Sequence, residues 1–208
     1  MGTQEQFYPQ GRALAERGMS CFFVDYRVKD RHGTTPVECV EDALDAMRWV
    51  SEHAAQYDID PTKIVAAGGS AGGHLAACTA YVPGNHVRPC SLVLFNPAVD
   101  FISFGRFFLD DDKEIARISP LAQLNANPKT ILPAILFHGE ADTTVPIAGS
   151  EAIVAATKQA GQESALITYP DKQHGFFNWG VGDGSDYEST LAESIAFLEQ
   201  QGLLQPAS

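Results

Sequence analysis

The chain has 208 residues, of which 45% are apolar and 19% charged, enough for one soluble domain with a core of its own and for one active site. Fourteen basic residues face 26 acidic ones, for a net charge of −12. With no basic block to meet a phosphate backbone, nucleic acid and anionic membrane surfaces are excluded as expected partners.

In chain order, a helix is expected from Gln4 to Arg17, stopped by Gly18, and then a first strand in the apolar run Cys21-Phe22-Phe23-Val24. A second helix opens at Pro36 after Thr35, with Val37, Val40, Leu44, Met47 and Val50 recurring every three or four residues. Asp60-Pro61-Thr62 reads as a turn into a strand over Lys63–Ala67, and Ala71–Ala80 reads as a helix. Ser91–Phe95 and Ala134–Phe137 are continuous apolar runs of the kind found in strands covered on both faces. A helix over Glu151–Gln159, a strand over Ala165–Tyr169 and a closing helix over Tyr187–Gln201 complete the alternation, which argues for a mostly parallel sheet flanked by helices. Residues 99–118 are the least regular. Their Phe101, Phe104, Phe107 and Phe108 beside Asp110-Asp111-Asp112 suit either a small cap over a pocket or a satellite of the core.

Gly68-Gly69-Ser70-Ala71-Gly72 lies between an expected strand and an expected helix, the context that gives a G-x-S-x-G match its meaning. A serine on such a tight turn occupies a strained backbone conformation that crowds its neighbours. It also sits at a helix N-terminus, where the Ala71 N–H is the expected first donor to a developing oxyanion. Asp142 follows the Ala134–Phe137 strand, with Glu140 as the rival carboxylate. His174 follows the last strand, with Gly175 letting the backbone turn. Ser70, Asp142 and His174 thus come in the hydrolase order, each at the carboxyl end of a strand. Ser70 is the expected nucleophile, His174 its base and Asp142 the group that orients the base. Gly69, Phe176 and Phe177 are candidates for contact with substrate, with core packing as the competing account of the aromatic pair. His74 is expected to be packed or hydrogen-bonded, and His138 to shape the acid loop. No histidine or cysteine pair has ligand spacing with a third group, so no metal and no cofactor are expected. Cys21, Cys39, Cys78 and Cys90 read as buried free thiols. No apolar leader and no run of 18 apolar residues is present, and a cytoplasmic location is expected.

Gly68-Gly69-Ser70-Ala71-Gly72-Gly73-His74-Leu75-Ala76-Ala77, Asp25-Tyr26-Arg27, Asp60-Pro61, His138-Gly139 with Asp142 and Pro146, and His174-Gly175-Phe176 together resemble the hormone-sensitive-lipase-like esterases, in the branch of acetyl and feruloyl esterases. The resemblance runs over nearly the whole chain. It implies one α/β-hydrolase domain over 1–208, a three-layer fold on a mostly parallel sheet, with residues 99–118 as a small cap or pocket-lining insertion. It also implies a serine carboxylesterase acting on short-chain or small soluble esters of acetyl or feruloyl type. Relatives carry a His-Gly-Gly-Gly oxyanion segment earlier in the chain, and Met1-Gly2-Thr3 resembles the stretch just after it. The expectation is therefore an N-terminally shortened fold with an exposed sheet edge. Ser20–Tyr26 would pair with Lys63–Ala67 or the sheet would be completed by another chain, giving a homo-oligomer. The alternatives are an inactive or weakly active hydrolase-fold module and a serine peptidase domain of the prolyl-oligopeptidase kind.

Overall fold

The computed structural model describes residues 3–205. The chain forms two compact units: Tyr26–His174, and the described part of Met1–Asp25 with Gly175–Ser208.

The larger unit is built on a parallel sheet of four strands, β1 (Val65–Gly69), β2 (Ser91–Phe95), β3 (Ala134–Gly139) and β4 (Ser164–Tyr169), in the order β1-β2-β3-β4. Every residue of β2 and β3 is buried, which is why these strands are continuously apolar rather than alternating. Leu92, Leu94, Ala134 and Leu136 share one face and one core cluster with Ala77, Ala80, Leu124 and Ile153. Phe95 and Phe137, paired in register, stack with ring centres 5.1 Å apart.

The helices of both units, in chain order, are α1 (Tyr8–Ala15), α2 (Lys29–His32), α3 (Pro36–Glu52), α4 (Ala71–Tyr81), α5 (Phe101–Phe104), α6 (Asp112–Arg117), α7 (Pro120–Ala126), α8 (Ala148–Gln159) and α9 (Ser185–Gln200). Thr35 and Glu38 form a capping box at the start of α3, with Pro36 at its first position. The turn before β1 is held by Asp60, whose carboxylate accepts from the Thr62 N–H at 2.9 Å. Residues 99–118 split in character. Phe101, Ile115 and Ile118 join Val40, Leu75 and Cys78 in a second core cluster, whereas Phe107 and Phe108 are exposed.

In the smaller unit, a 3-10 turn (Gln4–Phe7) leads into α1, and Arg17 pairs with Glu199 at the end of α9. The expected strand at Cys21–Val24 does not form: residues 19–28 have no helix or strand. The segment has strand composition, but a strand exists only with a hydrogen-bonded neighbour. Its side chains pack locally instead, Phe23 edge-on to Tyr8 and the Cys21 thiol donating to the Gly11 carbonyl at 3.3 Å. Ser20–Tyr26 is accordingly not part of the sheet, and β1 is paired with β2 alone among the described strands. Met1 and Gly2, on which the reading of the first residues rests, lie outside the described residues. Other boundaries move by a turn or less: β1 begins at Val65 rather than Lys63, and α8 at Ala148 rather than Glu151. Among the described residues, no helix is long and apolar enough to cross a membrane.

Candidate active site

Ser70 stands between β1 and α4 with φ 54° and ψ −118°, a conformation that non-glycine residues rarely adopt. The surroundings hold it there. Its N–H donates to the Phe95 carbonyl at 2.9 Å, and its own carbonyl accepts from the His74 N–H at 3.0 Å. A Cβ on Gly68 would lie 2.4 Å from the Gly72 oxygen, and one on Gly73 would lie 2.8 Å from Pro97 Cβ. Gly68 and Gly73 are therefore steric necessities, whereas a Cβ on Gly72 would meet open space. Ala71 is the first residue of α4, so its N–H belongs to the helix's first turn.

Ser70 Oγ is 2.8 Å from His174 Nε2, and His174 Nδ1 is 2.7 Å from Asp142 Oδ2. The structure thus gathers residues from three separate strand ends into one relay. Gly175, with φ 79°, supplies the turn after the histidine. The Asp142 side chain is 1% exposed. Its charge is met by the N–H groups of Thr144 and Val145, which donate to Oδ1 at 2.8 and 3.0 Å and leave Oδ2 for the imidazole. Glu140, the rival, is exposed and accepts from Thr168 Oγ1 at 2.7 Å.

His138 closes the acid loop from below. Its Nε2–H donates to the Val145 carbonyl at 3.0 Å, which leaves Nδ1 to accept from the Ser150 hydroxyl at 2.9 Å. Burial pushes its pKa down and keeps the ring neutral beside Asp142. His74 is likewise buried, with a pKa lowered by desolvation to about 4. It donates to the Ile118 carbonyl at 2.7 Å and stacks on Phe101. Phe176 and Phe177 are buried in the smaller unit, where Phe177 stacks on Phe7 with ring centres 5.9 Å apart. Gly69 is buried at the end of β1. Among the described residues, no group of three or more His, Cys, Asp and Glu side chains is placed to hold a metal ion.

Sequence reasoning missed Asn96. It is wholly buried with φ 35°, and its Nδ2 lies 3.3 Å from His174 Nε2. An amide directly after a fully apolar strand, at the carboxyl end where the other site residues lie, was the available signal.

The BD-FAE family model matches residues 2–96, and the Prolyl oligopeptidase family model matches residues 101–202. Esterase 2 of Thermogutta terrifontis, solved phosphorylated by paraoxon, is 39% identical with a TM-score of 0.90 over 100% of this chain and 80% of that one. The same esterase with propionate bound is 37% identical, with a TM-score of 0.89 over 100% and 81%. A probable isoprenylcysteine alpha-carbonyl methylesterase of Oryza sativa subsp. japonica is 30% identical over 79% of this chain and 45% of its own length. The acetylxylan esterase of Xylanibacter ruminicola is 29% identical over 94% and 42%. The chain thus spans somewhat under half the length of these curated relatives. The elbow at Ser70, the parallel sheet and the similarity to a solved esterase along the whole chain lead to one assignment: the chain belongs to the α/β-hydrolase esterases of the hormone-sensitive-lipase-like family.

Proposed function

We propose that the protein is a serine carboxylesterase that hydrolyses short-chain or small soluble esters, of acetyl or feruloyl type, through an acyl-enzyme. The observation that carries this reading is the relay from Ser70 Oγ to His174 Nε2 at 2.8 Å and from His174 Nδ1 to Asp142 at 2.7 Å. As Ser70 Oγ bonds to the ester carbonyl carbon, its proton passes to His174 Nε2. The Ala71 N–H, at the positive end of α4, donates to the oxyanion. Collapse breaks the bond to the alcohol oxygen, which leaves with the proton from His174. Water then attacks the acyl group with His174 again as base, releasing the acid and restoring Ser70. Propionate bound to the Thermogutta esterase supports a small acyl group, and the acetylxylan esterase supports an acetyl ester.

The test is hydrolysis of p-nitrophenyl acetate by the chain beside Ser70→Ala. Turnover that falls by at least about 10³ in the variant is expected; a folded protein with no serine-dependent turnover would favour the inactive module. Peptide cleavage exceeding ester cleavage would move the chain to the peptidases. For assembly, β1 at the end of the sheet supports pairing with a second copy; a monomer mass by light scattering would refuse it.

A further inference from the structure

Asn96 follows β2 directly, and its backbone is fastened by an N–H donated to the Phe137 carbonyl at 2.7 Å. The preceding carbonyl, that of Phe95, holds the Ser70 N–H. One strand end therefore braces the backbone of the serine and carries an amide to the imidazole. A carboxylate only accepts, so the bond to Asp142 places the His174 proton on Nδ1 and leaves the lone pair on Nε2. That lone pair faces the Ser70 hydroxyl at 2.8 Å and Asn96 Nδ2 at 3.3 Å. A side-chain amide nitrogen can only donate, so Asn96 is a second donor to the atom that must take the serine proton.

A ring held only at Nδ1 and by the reacting hydroxyl itself can swing about its Nδ1 bond once that hydroxyl is engaged with the ester, and a swing carries Nε2 away from Ser70. A second contact at the opposite nitrogen removes this freedom. We propose that Asn96 is a positioning residue for acyl transfer, its amide holding the Nε2 end of the His174 imidazole opposite Ser70. The inference deepens the esterase reading and rests on it. The contact exists only while Nε2 is unprotonated. Once the proton has moved, N–H faces N–H, and the ring is released towards the departing alcohol. Asparagine suits the position on two counts, since it tolerates positive φ better than most residues and presents a donor.

The experiment compares the chain with Asn96→Gly, which keeps the backbone conformation and removes the amide, and with Asn96→Asp, which keeps the shape and replaces the donor by an acceptor. Steady-state hydrolysis of p-nitrophenyl acetate is read beside ¹⁵N resonances of His174 in labelled protein, with Ser70→Ala as reference. Both variants are expected to lose about tenfold in kcat with little change in KM, the worth of one hydrogen bond used in the reaction. Their His174 Nε2 resonance moves, while the proton shared by Nδ1 and Asp142 stays in place. An Nε2 resonance unmoved in the folded variants overturns the inference, whatever kcat does. Absence of Ser70-dependent turnover in the parent chain defeats the esterase reading instead, and the Nε2 resonance then decides the role of Asn96 by itself. If Asn96→Gly fails to fold, Asn96→Ser, which also removes the amide and brings no charge, carries the same readout.

Discussion

The loop after β3 and the segment after β2 solve the same problem in opposite ways. Residues 139–146 are tied down by polar contacts: Asp142 is satisfied by two backbone N–H groups and His174, and His138 clips the Val145 carbonyl from below. Residues 101–118 rest mainly on apolar burial, with Phe101, Ile115 and Ile118 in the core and the His74 bond to the Ile118 carbonyl as a buried polar anchor. Burying a charge demands complete hydrogen bonding. The loop that holds the carboxylate is therefore short and fixed at the Asp142 carboxylate and at the Thr144 and Val145 backbone, while the aromatic segment can expose Phe107 and Phe108.

The largest effect expected from breaking this contrast is at Asp142. Asp142→Asn keeps the shape but favours the wrong imidazole tautomer, and kcat should fall by about 10⁴ with little change in KM; steady-state kinetics on p-nitrophenyl acetate check it.

Next comes the anchor of the aromatic segment. The folded pKa of His74, about 4, lies below the 6.5 of an unperturbed histidine, so the unfolded chain binds the extra proton first. The stability that His74 contributes is complete above pH 6.5 and is lost as pH falls to about 4, a change of up to about 3 kcal/mol. Denaturant unfolding at several pH values should show this slope in the parent and a shallower one in His74→Gln. The glutamine can still donate to the Ile118 carbonyl but does not titrate.

The smallest effect belongs to the exposed end of the same segment. Phe107→Ser should change unfolding free energy by no more than about 0.5 kcal/mol, because its ring is exposed, whereas the Phe108 ring stacks on the core ring of Phe101. A larger loss by urea titration would show that the segment depends on its exposed half as well.

Much of this was legible beforehand because it is local. Ser91–Phe95 is a strand residue for residue as its apolar run implies, and α3 begins where Thr35 and Pro36 place it. What failed was what depends on a distant partner. Cys21–Val24 has strand composition without a neighbouring strand to pair with. His74 and Ile118 meet across 44 positions, and Asn96 and His174 across 78.

The division is physical. Periodicity, glycine spacing and the order Ser70, Asp142, His174 can be read along the chain, and by themselves they marked the sheet strands and the longer helices, the hydrolase order and the candidate nucleophile and base, with Asp142 ahead of Glu140 as the acid. Distances between strand ends are set only when the sheet closes its register. The tertiary structure alone therefore decided that Asp142 rather than Glu140 meets the imidazole, that His74 anchors the aromatic segment, and that Asn96 stands beside the base.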